Sequence, residues 1–503
     1  MKLIPALAIV FLVSMSAHSG TTLRITSRAS QRGNIFLEGE KVQFMITAEN
    51  LPSGAELRMK SLNLDGKVAA SATTSRYGGG RAVAEAEFGV QQRGHYRVKA
   101  EVVKEGKIVS EGESTYAVIV APEKRTYRES SPFAIDVAAS WFFSKKEDLE
   151  TASRLVRLAG ISCVRDRFRW REIEPEKGAF RPGRYETSAR IQHEAGLSVY
   201  QIFHDCPPWA SGKRDSRYPS ENPSDMGDFF RRMVSHFKDR VTYWEIWNEP
   251  DIDVFYLGTP EQYAACLKEA YRQIKQADPD AKVLLCSFSQ PPGNFAERVL
   301  RAGIADSFDI YNIHYYGYPQ GVEVRLKSHR QLMEKHGVRK PIWITEMGDQ
   351  HAEGKGDHPT LRAEATYLVK AYVYGLANGA ERFFYFIFSH YPERGRVFGT
   401  VNRDFTPRPA YVALCNLTYM LGEGKFVRKV DALPEGVECH QFRDGDQVVD
   451  VFWAKEAQQV RFPIEEGRKP QEAVDVVGRP ISFRTFSDGT CELAVGPEPV
   501  FLK

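Results

Sequence analysis

The sequence predicts an α/β protein: a closed (β/α)8 TIM barrel flanked by an N-terminal β-sandwich and a C-terminal small β-sandwich. Three observations predict it. Eight short apolar runs alternate with helical stretches between residues 131 and 424. Strand-like segments of period two, without such helices, lie on either side. The chain has 503 residues, and single hydrophobic cores stop growing at about 250–300 residues, so a large core with appended modules is expected.

Residues 1–20, MKLIPALAIVFLVSMSAHSG, are set apart from the fold. Lys2 is a minimal basic start, Leu3 to Val13 an apolar stretch, and Ala17-His18-Ser19 offers small residues for cleavage. The apolar run falls short of the roughly 20 residues that span a bilayer. The expectation is a cleaved signal peptide and a secreted or periplasmic protein with no membrane association afterwards.

Residues 21–122 are expected to form an Ig-like β-sandwich. KVQFMITA (41–48) and HYRVKAEVV (95–103) alternate apolar and polar residues, and DGK (65–67) and RYGGGR (76–81) separate such runs. The glycine run lacks the Lys-Ser/Thr ending of a phosphate-binding loop, so a hairpin loop is expected there. A charged linker, APEKRTYRES (121–130), follows.

The barrel is assigned to residues 131–424. Its strands are FAIDVAA (133–139), ISCVRDRF (161–168), LSVYQIFH (197–204), VTYWEIWNE (241–249), AKVLLCSFS (281–289), DIYNIHYY (309–316), PIWITEM (341–347) and RFFYFIF (382–388). Ser144 with Glu147 predicts a capping box for the first helix, whose face is Leu149, Ala152, Val156 and Ala159 and whose end is Gly160. Later helices run through Ile191, carry Phe230, Met233, Val234 and Phe237, and open at Thr259-Pro260 with Gln262 as return partner. Pro407 and Pro409 open a last helix through Leu421, closed by Gly422. Parallel strands need such crossovers, and eight units are the size of a closed barrel. An open doubly wound sheet would carry a Gly-rich first turn, whereas AASWFFS has no glycine.

Residues 425–503 return to short strands, with turns at DGD (444–446) and DGT (488–490). Cys439 and Cys491 fall in this module, where the sequence leaves a bridge between them open. The seven cysteines contain no CxxC pair, so a cysteine metal site is not expected. Lys plus Arg total 68 against 65 for Asp plus Glu, a balance that argues against a general nucleic-acid binder or a polybasic membrane protein.

In a TIM barrel the chemistry sits at the C-terminal strand ends. Those ends carry Arg165, His204, Asn248-Glu249-Pro250, His314 with Tyr316, and Glu346. Two glutamates 97 residues apart in the chain thereby share one rim. Paired carboxylates across a pocket suit glycosidic bond cleavage: one protonated to serve the leaving oxygen, the other ionised to attack or stabilise the anomeric carbon. A negative Glu346 would keep Glu249 protonated, while Arg165 and the Tyr316 hydroxyl would hold Glu346 as the carboxylate. Of Trp141, Trp170, Trp209 and Trp247, any could stack on a sugar face, although each alone is more often core; Trp209 is the one placed in the substrate site. The histidines show no i, i+4 pair and no HExxH, so no metal and no other cofactor is expected. There is no GxSxG elbow and no nucleotide fingerprint.

YWEIWNEPD (243–251) followed by WITEMG (343–348) resembles the clan A glycoside hydrolases, closest in feel to family 39 and family 5-like enzymes. GISCVRDRFRWREIEPEKGAF (160–180), CPPWA (206–210) and TPEQYAACLKEAYRQIKQADPDAKV (259–283) extend the likeness. The resemblance implies a retaining enzyme on β-linked glycosides, with Glu249 as acid/base, Glu346 as nucleophile and a carbohydrate as partner. His314 and Tyr316 match the His-x-Tyr of strand six in family 5-like members. The clan often places Trp at the end of strand eight; FYFIFSHY has none, leaving Phe388 or Tyr391, or a subsite built differently. The alternative is a non-catalytic carbohydrate-binding or scaffolding protein on the same fold.

Overall fold

The computed structural model describes residues 20–503 except positions 75, 353 and 432. The expected leader, up to residue 19, lies outside the described residues.

The barrel is closed and all-parallel. Its strands are β1 (Phe133–Asp136), β2 (Cys163–Arg169), β3 (Ser198–His204), β4 (Val241–Glu245), β5 (Lys282–Phe288), β6 (Ile310–His314), β7 (Ile342–Met347) and β8 (Arg382–Tyr385). They pair in sequence order, and β8 closes on β1 through Phe383–Phe133. Each strand gives one side chain to an apolar plug: Ala134, Cys163, Tyr200, Tyr243, Leu284, Ile310, Trp343 and Phe384. Side chains alternate along a strand, so the inward layer lies two residues further on. That layer holds Asp136, Arg165, Glu245, Asn312 and Thr345, all wholly buried. The usual branched apolar filling is replaced there by charge.

The helices follow the expected alternation, with one correction at a cap. The first long helix, Lys146–Leu158, has Lys145 at its N-cap and no side-chain cap, so the Ser144–Glu147 box does not form. Arg32 of the N-terminal sandwich takes Glu147 instead, through its backbone oxygen at 3.2 Å and its carboxylate at 3.7 Å. The Thr259–Gln262 capping box forms as expected, with both reciprocal bonds present. Gly160 adopts φ +83°, and a Cβ there would lie 2.4 Å from the Thr418 hydroxyl, so the close approach of the last helix requires glycine.

Two sheets share the N-terminal core. Thr22–Ser27, Lys41–Leu51 and Gly80–Val90 form one, and the other includes Glu56–Asn63, Gly94–Lys104 and Lys107–Ile119. The RYGGGR segment is no hairpin loop. It carries the chain from Val68–Thr73 in one sheet to Gly80–Val90 in the other, because alternation gives both strands an apolar face to bury between the sheets. The C-terminal module also has two sheets over one core. Cys439 and Cys491 are both buried in that core, and both are free thiols.

The last helix, Pro409–Leu421, joins these parts. It is apolar nearly all round, with only Tyr419 not fully buried, the pattern of a helix with no solvent face. Tyr411 donates to the Leu155 carbonyl at 2.8 Å, Thr418 to the Ala159 carbonyl at 2.6 Å and Asn416 to the Asp475 carbonyl at 3.1 Å. The charged linker is likewise fastened: Arg125 donates to Thr418 at 2.9 Å, and the Arg157 guanidinium lies 3.9 Å over the Tyr127 ring. Among the described residues no helix is long and apolar enough to cross a membrane.

Candidate active site

Strand β4 ends at Glu245, earlier than its apolar run suggests, and the chain then bends sharply. Trp247 and Glu249 both adopt positive φ, +81° and +42°, a conformation disfavoured for residues with a Cβ. Surrounding bonds hold the bend. The Trp247 indole donates to the Phe255 carbonyl at 3.0 Å, and the Glu249 backbone N–H donates to the Ser287 hydroxyl at 3.2 Å. The result aims Asn248 and Glu249 into a cavity of about 500 Å³ at the C-terminal end of the barrel.

Glu346 reaches the same cavity from β7. Arg165 and Arg167 both donate to its Oε1, Arg167 at 3.1 Å, and the Tyr316 hydroxyl donates to Oε2 at 2.7 Å. Arg165 is wholly buried beneath the cavity. Its remaining N–H groups go to Asp136 at 2.9 Å, to Glu245 at 3.0 and 3.1 Å, and to Asn248 Oδ1 at 2.9 Å. The last bond fixes the Asn248 amide, so that its NH2 is left to the cavity. A guanidinium with three carboxylates around it cannot lose its proton, and these carboxylates together raise Arg165 well above its ordinary value against the cost of burial.

Glu249 has different company. His314 Nδ1 lies 2.6 Å from its Oε1, and no guanidinium touches it. Burial first, and then the charge of Glu346, raise its carboxyl well above the usual range. One oxygen of Glu249 and one of Glu346 lie within 4.8 Å of each other. His314 completes a trio whose donor atoms are close enough for a metal ion. Two guanidinium groups on Glu346 oppose a further cation there, so the trio suits proton and carbon chemistry better than metal binding.

The structure brings Glu249, Glu346, Asn248, His204 and Tyr316 to one cavity, and sets three expected substrate contacts elsewhere. Arg165 and His314 are wholly buried and act on the carboxylates from below rather than touching the cavity. Trp209 stands outside it: its indole donates to the Glu174 carbonyl at 2.9 Å, and its ring packs edge-on against Trp170 at 5.4 Å. Trp141 takes the wall position, 5.1 Å from His204 and 4.1 Å from the Arg169 guanidinium. His204 Nε2 and Trp141 Nε1 are buried atoms with no hydrogen-bond partner. Tyr316 is 45% exposed yet sinks its hydroxyl onto Glu346, so its ring lines the cavity.

The strand-eight wall is built by Phe386, joined to Ile387 by a cis peptide, and by Tyr391. Phe388 is wholly buried away from the cavity. Gly348 allows this wall, since a Cβ there would meet the Phe386 carbonyl oxygen at 1.8 Å. Tyr391 and Phe398 lie on a small sheet of Tyr391–Glu393, Arg396–Phe398 and His351–Ala352. Sequence reasoning missed Arg167, Asp136 and Glu245. The signal was present in Cys-Val-Arg-Asp-Arg, where residues 165 and 167 share a strand face.

Residues 221–400 match the family model described as glycosyl hydrolase catalytic core. The match falls within the barrel, and barrel and match together support a glycoside hydrolase. Its likeness gathers among the clan A enzymes. A family 39 glycoside hydrolase from the gut symbiont Bacteroides cellulosilyticus superposes with a TM-score of 0.75 at 20% identity, covering 94% of this chain and 99% of that one. A GH39 β-xylosidase from Caulobacter crescentus has a TM-score of 0.55 at 15% identity, over 74% and 96% of the two chains. Endo-1,4-beta-xylanase B of Thermotoga neapolitana is 21% identical over 276 residues, 50% of this chain and 78% of that protein.

Proposed function

We propose that the protein is an exported, retaining glycosidase that cleaves β-linked oligo- or polysaccharides without a cofactor. One observation carries the reading: two buried carboxyl groups with oxygens within 4.8 Å, one gripped by arginines and the other not. Retaining enzymes separate their carboxyl groups by about 5–5.5 Å and inverting ones by about 6.5–9.5 Å, to admit a water. Glu346 attacks the anomeric carbon as the glycosidic C–O bond breaks, and Glu249 gives its proton to the departing oxygen. Glu249 then takes a proton from water as that water displaces Glu346, which restores both groups and the original anomeric configuration. The Asn248 amide is free to donate to the sugar 2-OH. Trp141 and His204 line the same cavity and offer their rings to the sugar.

The relatives described as xylanase and xylosidase make β-xylosides and xylan the first substrates to try. A matching 2-deoxy-2-fluoro glycoside should trap the glycosyl-enzyme on Glu346, located by peptide mass spectrometry. Early product followed by proton NMR should be the β-anomer. An α-anomer would overturn the mechanism, and sugar binding without turnover across a broad panel would favour the non-catalytic alternative. Export rests on residues 1–20, and sequencing the mature N-terminus tests it.

A further inference from the structure

His314 is neutral: burial first, and then the Arg165, Arg167 and Arg325 charges, push it well below its usual value. A neutral imidazole carries one N–H, on either nitrogen. Nδ1 faces Glu249 at 2.6 Å, and Nε2 faces the Thr345 hydroxyl at 3.0 Å. Which nitrogen holds the proton is decided further down the barrel. Burial raises the Glu245 carboxyl against the pull of Arg165, but both its oxygens accept, Oε2 from Arg165 and Oε1 from the Ser287 backbone N–H at 3.0 Å. Tyr200 donates its hydroxyl proton to Glu245. Having spent that proton, the Tyr200 oxygen accepts from Asn312 Nδ2 at 3.3 Å, which turns Asn312 Oδ1 toward Thr345. Thr345 therefore donates to Asn312, at 2.6 Å, and its oxygen is left to accept from His314 Nε2. Every bond in the line points the same way.

We propose that Thr345, Asn312, Tyr200 and Glu245 are positioning residues that lock His314 as the Nε2–H tautomer, so that bare Nδ1 accepts from Glu249 and holds it as the carboxylic acid. The proposal rests on Glu249 being the acid/base. The same proton bridges Nδ1 and Glu249 at rest and passes to the leaving oxygen in the first step. The resulting carboxylate then faces a lone pair until water returns a proton, so the acid form is favoured at both ends of the cycle. Other groups around Glu249 act in the same direction: Glu346 from β7, with Asp251 and Glu245 from its own segment, oppose its ionisation. Arg165 from β2 favours ionisation but spends its N–H groups on other partners, and the Tyr316 hydroxyl after β6 donates to Glu346. Glu346 Oε2 stands 3.4 Å from Nδ1 and is already taken by that hydroxyl. His204 is held neutral and adds no charge.

Nitrogen-15 NMR of selectively labelled protein tests the tautomer without turnover. His314 should show an unprotonated imine-type Nδ1 and a protonated Nε2, assigned by loss of the signals in His314→Gln. A protonated Nδ1 would overturn the proposal and leave the assignment of Glu249 untouched. In the kcat/KM profile, Thr345→Val should let the ring take the Nδ1–H form, stabilise the Glu249 carboxylate and move the alkaline limb down by about one pH unit. Thr345→Ser should restore the limb, which a packing effect would not do. An unmoved limb in an active Thr345→Val enzyme would also overturn the lock. Full activity in Glu249→Ala would instead overturn the acid/base reading.

Discussion

Glu346 and Glu249 face one cavity from strand ends three apart in the barrel and are equally buried, yet their partners differ. Glu346 accepts from two guanidinium groups and a phenol, and those guanidinium groups are themselves braced by Asp136 and Glu245. Glu249 sits against a neutral imidazole, on a bend held in positive φ, with carboxylates nearby. The difference teaches that one strongly charged layer can assign opposite roles to two identical side chains. Guanidinium groups hold one carboxylate from below, and none touches the other, where burial raises the carboxyl.

Removing the member held by arginines should have the largest effect. Glu346→Ala should lower kcat/KM by at least about 10⁴-fold on any substrate the wild type cleaves, measured with aryl glycosides. Taking away the brace comes next. Arg165→Met leaves Asp136, Glu245 and Glu346 buried without their shared counter-charge, and should cost about 3–5 kcal/mol in urea unfolding as well as most of the activity.

The other side of the comparison predicts a gain. Folding raises the Glu249 carboxyl above its unfolded value near 4.5. The resulting penalty is absent below that pH and grows as pH rises toward the folded value. Glu249→Gln has no proton to lose. It should melt about 2 °C or more above the wild type at pH 7, and the difference should close below about pH 4. In the wild type, the same direction puts the alkaline limb of kcat/KM above the ordinary carboxylate range. The smallest effects belong to the walls. Trp141→Ala should raise KM by about 2- to 10-fold with little change in kcat, whereas Trp209→Phe, outside the cavity, should leave both constants unchanged.

The barrel was legible because each strand is a short apolar run followed by a helix with its own cap or terminator, and local pattern is enough to find such units. The two glutamates were legible because they stand at the ends of such runs. The layer that separates their roles was not. Asp136, Tyr200, Glu245, Asn312 and Thr345 lie within strands whose apolar neighbours make them look like ordinary barrel filling, and their partners are on other strands. Trp141 and Trp209 show the same limit, since both follow strand ends and only the course of the loops decides which one meets the cavity. The Ser144 cap failed for a related reason: a residue from another module, Arg32, claimed the return partner.

The helix Pro409–Leu421 has a consequence for how the molecule can be taken apart. It bonds to the barrel through Leu155 and Ala159, to the C-terminal module through Asp475, and to the linker from the N-terminal module through Arg125. The large apolar cluster it belongs to draws Ile35 and Ala117 from one module and Val451 and Phe501 from the other. Three stretches that divide cleanly along the chain should therefore melt as a single cooperative unit, seen as one transition by calorimetry. A catalytic fragment cut at those divisions would expose the flank of its own core.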